Sequence, residues 1–434
     1  MNKEILRLAI PNIISNISVP LLSTVDTALM GRLSEAHIGA VGLGAMIFNF
    51  IYWNFGFLRM GTTGITAQAF GKERKDQIML TLGRALVVAV LIAGSILLLQ
   101  YPIGQLAFQL MNVPESQQDL IADYFYIRVW AAPASLGLYA FMGWFFGMQN
   151  AVFPLVITLV INTLNIALNF LFVLHFGMEA DGVAMSTLIV QYVGLILAVI
   201  LFWWKYKSYI VHLKRRALLV RDELKRFLVI NRDIFIRTAC LTFAFSFFYS
   251  QSADSGTLIL AANVILMQFV NWMSYGVDGF AYAAESLVGK YAGKSDRTAT
   301  QRAVRLSFFW GMGLAGLYAL IYGVFGHSIL ALFTNQTDVI TATLPFLSWM
   351  LVFPIAGTPC YIWDGIYIGL TASKQMRNAM LLSLGVYMIV HFLLKPTLGN
   401  HGLWAALMIF MVARAAFQWW FYDRQEGFWK LQEN

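Results

Sequence analysis

The sequence predicts an all-α polytopic membrane protein of twelve transmembrane helices in two pseudo-symmetric six-helix lobes. Three observations carry that expectation. The 434 residues are 59% hydrophobic and 12% charged, whereas an average soluble protein has about 25% charged residues. Twelve apolar stretches are long enough to serve as helices across a hydrocarbon core about 30 Å thick, where only helices and closed barrels satisfy the backbone. Motifs in the first half also return in the second at a nearly constant offset.

The first predicted helix, 6–31, has Asp26 as its only charge beyond Arg7 and includes Pro11 and Pro20. Its length, its prolines and the lack of a small-residue cleavage site distinguish it from a signal peptide, so it is expected to remain in the mature protein. Helices follow at 37–70, 78–103, 120–148, 153–176 and 184–204, and after a basic stretch at 234–252, 257–288, 303–325, 340–370, 379–394 and 402–422. The hydrophilic stretch near the midpoint divides the chain into an N-terminal lobe (1–206), a cytoplasmic basic linker (207–231) and a C-terminal lobe (232–434).

Duplication explains the recurring motifs. Gly61 and Gly71 in the second helix are matched by Gly279 and Gly289 in the eighth, and Gly147 ending the fourth by Gly369 ending the tenth. Asp181-Gly182-Val183-Ala184 precedes the sixth helix, and His401-Gly402-Leu403-Trp404-Ala405 the twelfth. An even number of helices per repeat keeps the orientation, which relates the halves by an axis along the membrane normal and puts a substrate between them.

A net charge of +8 would suit nucleic acid, but its placement points elsewhere. Lys and Arg concentrate at the chain ends and in alternate connections (72–75, 205–232, 290–305, 374–377), with Arg32 the clear exception. The intervening connections are acidic or neutral. This is the positive-inside pattern, expected with both termini cytoplasmic in a multi-pass protein of the cytoplasmic membrane. Membrane lipids are the expected surroundings, with no nucleic acid and no obligatory protein partner.

Enzyme readings find no support. None of the six His stands in a metal-ligand or nucleophile-base spacing with another, and Gly293-Lys294-Ser295 lacks the leading glycine of a phosphate loop because position 288 is Val288. Cys240 and Cys360 fall in separate helices and read as buried, inert thiols. No cofactor is expected and no metal site, beyond a coupling H+ or Na+ at Asp26.

What remains are polar groups inside helices. A carboxylate at hydrocarbon depth costs roughly 2.5–3.5 kcal/mol on insertion scales, so Asp26 needs a partner, a proton or a function. Pro11 and Pro20 remove backbone donors and invite bending, which is tolerated chiefly where a cavity is lined. The fifth helix offers Asn162, Asn165 and Asn169, the last two sharing a face, and the sixth offers Thr187 and Gln191. Interhelical hydrogen bonding is the alternative reading of these amides, and pairing with Arg59 or Arg128 the alternative for Asp26. In the second half Asp278, Glu285 and Asp364 read equally as structural partners of Arg59 or Arg414 and as transport residues. Met142, Met148, Met267 and Met273 would suit an adaptable apolar cavity, although packing is the default for each.

At these residues the chain resembles the multidrug and toxic compound extrusion (MATE) family. Pro11 followed by Val25-Asp26-Thr27-Ala28-Leu29-Met30-Gly31 looks like the family's first helix. Ala67-Gln68-Ala69-Phe70-Gly71, the run from Tyr275 through Asp278-Gly279 to Glu285, and Trp363-Asp364-Gly365-Ile366 look like its DinF-like branch. The resemblance covers essentially the whole chain. It implies a V-shaped pair of lobes and export of small organic, often cationic, compounds in exchange for protons or sodium ions. It also implies that Asp26 is the coupling carboxylate, that Asn165 and Asn169 are its helix-5 partners, and that Pro11 governs bending. Some relatives have Asp at the position of Asn169, and its absence here leaves H+ and Na+ both open. A lipid-linked precursor flippase of the same architecture is the alternative, and it would need a cavity rich in Arg and Lys. A channel would need neither exchange nor a titrating acid.

Overall fold

The computed structural model describes residues 1–30, 35–111, 113, 115–213, 215–218 and 220–424, with backbone only at 19–30, 35–40, 115, 116 and 215. The described residues form helices and turns and contain no strand. In the first half these are α1 (Asn2–Met30), α2 (Glu35–Phe55), α3 (Phe57–Gly71), α4 (Lys75–Leu98), α5 (Gln100–Leu110), α6 (Glu115–Arg128), α7 (Ala132–Gly147), α8 (Val152–Phe170) and α9 (Ala180–Tyr206). The second half has α10 (Arg221–Ala253), α11 (Thr257–Gly293), α12 (Arg297–Phe333), α13 (Thr337–Thr343), α14 (Trp349–Gly369), α15 (Ser373–Leu398) and α16 (Asn400–Asp423).

Each of the twelve predicted segments lies on one helix or a consecutive pair. Among the described residues nine helices are long and apolar enough to span a membrane, and ten if the bent pair Thr337–Phe346 and Trp349–Gly369, which meets at 55°, is one span. The first and seventh predicted segments lie on α1 and α10. The fourth and tenth segments each break at a short 3-10 turn next to a proline, Pro133 at the start of α7 and Pro345 within Leu344–Phe346. Proline supplies no donor to the preceding turn, so the break follows from local chemistry. Helix α10 begins at Arg221, well before the apolar run, because Asp222 and Glu223 suit its first turn and Phe227 and Ile230 are buried.

The chain resolves into two compact units, Ile14–Leu228 on one side and Met1–Ile13 with Val229–Asn434 on the other. In the first, Trp144, Phe145, Ile157, Val190, Phe202 and Tyr206 form the centre of an apolar core. The second includes the start of α1, because Glu4 accepts from Lys290 Nζ at 2.9 Å and a Cβ on Gly279 would stand 2.9 Å from the Ala9 carbonyl oxygen.

The two halves repeat in backbone detail, 222 residues apart. Among the described residues four non-glycines have positive φ: Glu73 and Gln149 in the first half, Ser295 and Thr371 in the second, pairing 73 with 295 and 149 with 371. Each stands where a helix ends in the hydrogen-bond pattern that an αL residue permits, as in Arg74 N–H to Ala69 O and Asp296 N–H to Tyr291 O. Helix crossings repeat too. A Cβ on Gly143 of α7 would stand 2.3 Å from the carbonyl oxygen of Arg59 on α3, and one on Gly365 of α14 would stand 2.2 Å from that of Ala281 on α11. Gly147 meets the Thr63 oxygen at 2.9 Å, and Gly369 the Glu285 oxygen at 2.6 Å, by the same measure. Apolar surface gives little drive for helix association in lipid, so close backbone approach at small residues supplies it.

Candidate functional site

Helix α8 displays Asn162, Asn165 and Asn169 at spacings of three and four, which brings them to one side. Asn165 and Asn169 are buried, and the first turns of α9 face them with Ser186 and Thr187. Asn169 donates through Nδ2 to Asn165 Oδ1 at 3.1 Å, and Asn165 donates through its own amide to Ser186 Oγ and Thr187 Oγ1, both at 3.4 Å. Ser186 in turn donates to Asn169 Oδ1. Both hydroxyls also reach the Val183 carbonyl one turn back, at 2.9 and 3.1 Å, which fixes their rotamers. The result is a cluster of amide and hydroxyl oxygens held by two helices.

Asn162 extends the polar face to the first helix. Its Nδ2 donates to Ser18 Oγ at 2.7 Å, and Ser18 donates to the Ser15 carbonyl at 2.7 Å. Helix α1 continues through Pro11 and Pro20 to Met30, so the Asp26 backbone is helical, while its side chain lies outside the described residues. Pro11 is half-buried, and its neighbour Asn12 returns a hydrogen bond to the Leu8 carbonyl at 2.8 Å. Gln191 is half-buried on α9, one turn beyond Thr187.

In the second half a neutral group forms around Asn263, which donates to Ser252 Oγ at 2.8 Å and accepts from Trp404 Nε1 at 2.8 Å, and a separate cluster is ionic. Asp364 on α14 accepts from Arg237 on α10, from Arg414 on α16 at 2.7 Å and from Gln418 at 2.6 Å. All four side chains are buried. Of the two arginines weighed as partners of this acid, Arg414 is the one in place, and Arg237 joins it. The guanidinium of Arg414 also stands over Phe410 and Tyr361. Asp278 is half-buried and Glu285 buried, both on α11.

Met267 and Met273 are fully buried, Met273 taking the Thr358 hydroxyl on sulfur, and Met142 and Met148 belong to the apolar core of the first half. Arg59 stands over the Phe146 ring, and Arg128 over Phe48 and Tyr124. Both cysteines are free thiols, Cys360 buried and Cys240 half-buried. Among the described residues no three His, Cys, Asp or Glu gather as metal ligands.

Comparison with known proteins decides the family. The profile of the MatE family matches residues 11–171 and again 234–396, once in each half. The chain belongs to the MATE family. It is 34% identical over 414 residues to the DNA damage-inducible protein F of Escherichia coli, covering 95% of this chain and 90% of that one. Against the multidrug resistance protein NorM of Vibrio cholerae the identity is 23%, with 95% and 93% covered. A MATE crystal structure in the bent conformation superposes with a TM-score of 0.87 at 20% identity, covering 100% of this chain and 97% of the other. This MATE protein is therefore a multi-pass membrane transporter and not an enzyme.

Proposed function

We propose that the protein exports small organic, often cationic, compounds across the cytoplasmic membrane in exchange for H+ or Na+, by alternating access and with both termini cytoplasmic. The observation that carries this reading is the neutral cluster of Asn165, Asn169, Ser186 and Thr187 on the half that also holds Asp26. The Asn162–Ser18 bond supports a common depth for them. Odd-numbered spans run the same way through a membrane, and at 1.5 Å per residue Asn169 lies about 10 Å and Asp26 about 12 Å further along from that contact. A carboxylate beside oriented amide and hydroxyl oxygens loads a proton or a sodium ion, and Pro11 permits α1 to bend when the charge on Asp26 changes. Family membership and the names of its multidrug-resistance relatives support organic compounds as cargo.

Ethidium transport in proteoliposomes tests the coupling, with a proton gradient and a sodium gradient imposed separately. Transport under one gradient, lost in Asp26→Asn while the variant stays folded, is the expected result. Unimpaired gradient-driven transport by Asp26→Asn would overturn the assignment, and transport under neither gradient would favour the lipid-precursor alternative.

A further inference from the structure

The stretch that joins the halves is built into the end of the first one. Tyr209, Ile210 and Leu213 pack on the apolar core around Trp144, Phe145 and Tyr206. Leu218 lies over Gly83, where a Cβ would stand 2.5 Å from Leu218 Cδ2. The buried Arg84 donates to the carbonyls of Ala217 at 3.0 Å and Leu218 at 3.3 Å and pairs with Glu223 at 3.4 Å. These carbonyls satisfy a guanidinium on a membrane-spanning helix that would otherwise be buried at cost.

The depth of that contact is informative. Gly83 and Arg84 lie eight and nine residues into α4, about 12–14 Å along its axis. The apolar run of α4 begins at Ile78, so the linker runs level with hydrocarbon-facing side chains. Its outward side agrees: Val211 is 86% exposed and Trp204, in the last turn of α9, 74% exposed. Positive-inside charge alone requires neither an inserted Leu218 nor an exposed valine and tryptophan at that level. The ammonium of Lys205 stands over Phe153 and Tyr206, 5.3 and 5.5 Å from the ring centres, a cation–π contact. Lys207, Arg216, Arg221, Lys225 and Arg226 are exposed around it. Residues 205–226 hold eight Lys and Arg against Asp222 and Glu223, a net charge of +6, and Glu223 is engaged by Arg84.

We propose that residues 205–226 form an interfacial segment that binds the phosphates of anionic phospholipid headgroups, with Val211 and Trp204 inserted among the acyl chains. Aromatic and apolar groups at the boundary under a ring of cations match an anionic bilayer surface. Binding is electrostatic, about five-fold per cation near the surface, and falls with salt.

Two measurements test this on the full chain. In native mass spectrometry from equal parts phosphatidylglycerol and phosphatidylcholine, the parent retains phosphatidylglycerol several-fold over phosphatidylcholine. Replacing Lys207, Arg216, Arg221, Lys225 and Arg226 by Gln brings the ratio towards one. A nitroxide on Val211→Cys, with Cys240→Ser and Cys360→Ser, is relaxed by oxygen more than by a water-soluble nickel chelate in vesicles of the same mixture. A label relaxed chiefly by nickel, as a linker serving a soluble acidic partner would give, overturns the proposal. So does a phosphatidylglycerol preference that is absent in the parent or survives the five substitutions. Neither readout depends on transport, so the proposal fails or stands apart from the antiport reading.

Discussion

The two halves share a backbone and differ in chemistry. Gly143 lies against Arg59 as Gly365 lies against Ala281, and the αL residues at 73 and 149 return at 295 and 371. Yet 222 residues after Asn165 and Asn169 stand Tyr387 and His391, both buried and both set edge-to-face with Phe247. The first half keeps an amide–hydroxyl cluster on α8 and α9, and the second, which has a neutral group of its own around Asn263, adds two arginines and a glutamine on Asp364. The difference teaches what a membrane constrains. A close helix crossing admits only glycine, so it must recur wherever the architecture recurs. Polar groups need only be satisfied, by neutral or charged partners, and can therefore diverge towards separate roles.

The largest expected effect separates the two interiors. Asp364→Ala leaves the Arg237 and Arg414 guanidinium groups buried without their carboxylate, and breaking a buried pair in this way costs about 3–5 kcal/mol. Asn169→Ala removes the interhelical bond from Ser186, of a kind worth about 0.6–2 kcal/mol, and the bond to Asn165 within α8. Thermal unfolding in detergent should therefore rank Asp364→Ala far below Asn169→Ala. Equal losses would mean that the ionic cluster is no more structural than the neutral one.

The shared backbone predicts matched losses. Gly143→Ala and Gly365→Ala each drive a Cβ onto a carbonyl oxygen that belongs to a packed helix and cannot rotate away, costing about 1–3 kcal/mol each. Gly94→Ala and Gly313→Ala, where a Cβ meets open space, should instead gain about 0.5–1 kcal/mol from helix propensity. A large loss at Gly143 with none at Gly365 would break the equivalence of the two crossings.

How much of this was legible in the sequence follows from the kind of constraint. The hydrocarbon fixes helix length, so apolar runs could be read as spans, nine or ten of which are long and apolar enough among the described residues. Gly147 with Gly369 gave the true offset of 222, whereas Gly71, matched to Gly289, corresponds to Gly293 at the end of α11. The pairing of Asn165 with Asn169 follows from a spacing of four on one helix. Ser186 escaped notice because a serine inside a helix ordinarily bonds its own preceding turn, as it does to Val183 here, and sequence does not distinguish that from a second bond to Asn169. Nor does spacing reveal that Arg237 and Asp364, 127 positions apart, are partners. The linker was read by its charge, which hid the apolar contacts of Leu213 and Leu218.

The smallest expected effect again belongs to one half alone. Lys290 and Tyr291 of α11 hold the Glu4 carboxylate at 2.9 to 3.2 Å, whereas Gln68 and Ala69 stand 222 residues earlier and offer no cation. Partial burial pushes the Glu4 carboxyl up, but the Lys290 hydrogen bond and charge and the Tyr291 hydroxyl outweigh it, leaving Glu4 below its usual 4.5. A carboxyl whose affinity for protons is lower in the folded state contributes stability above its unfolded value and loses it as pH falls through the folded one. Because Glu4 is 38% exposed, the contribution is that of a surface pair, about 0.2–1 kcal/mol. Glu4→Gln should therefore be slightly less stable than the parent near pH 7, and the gap should close as the solution is acidified below 4.5. If the gap persists unchanged in acid, packing of the side chain rather than its charge fastens the start of α1 to α11.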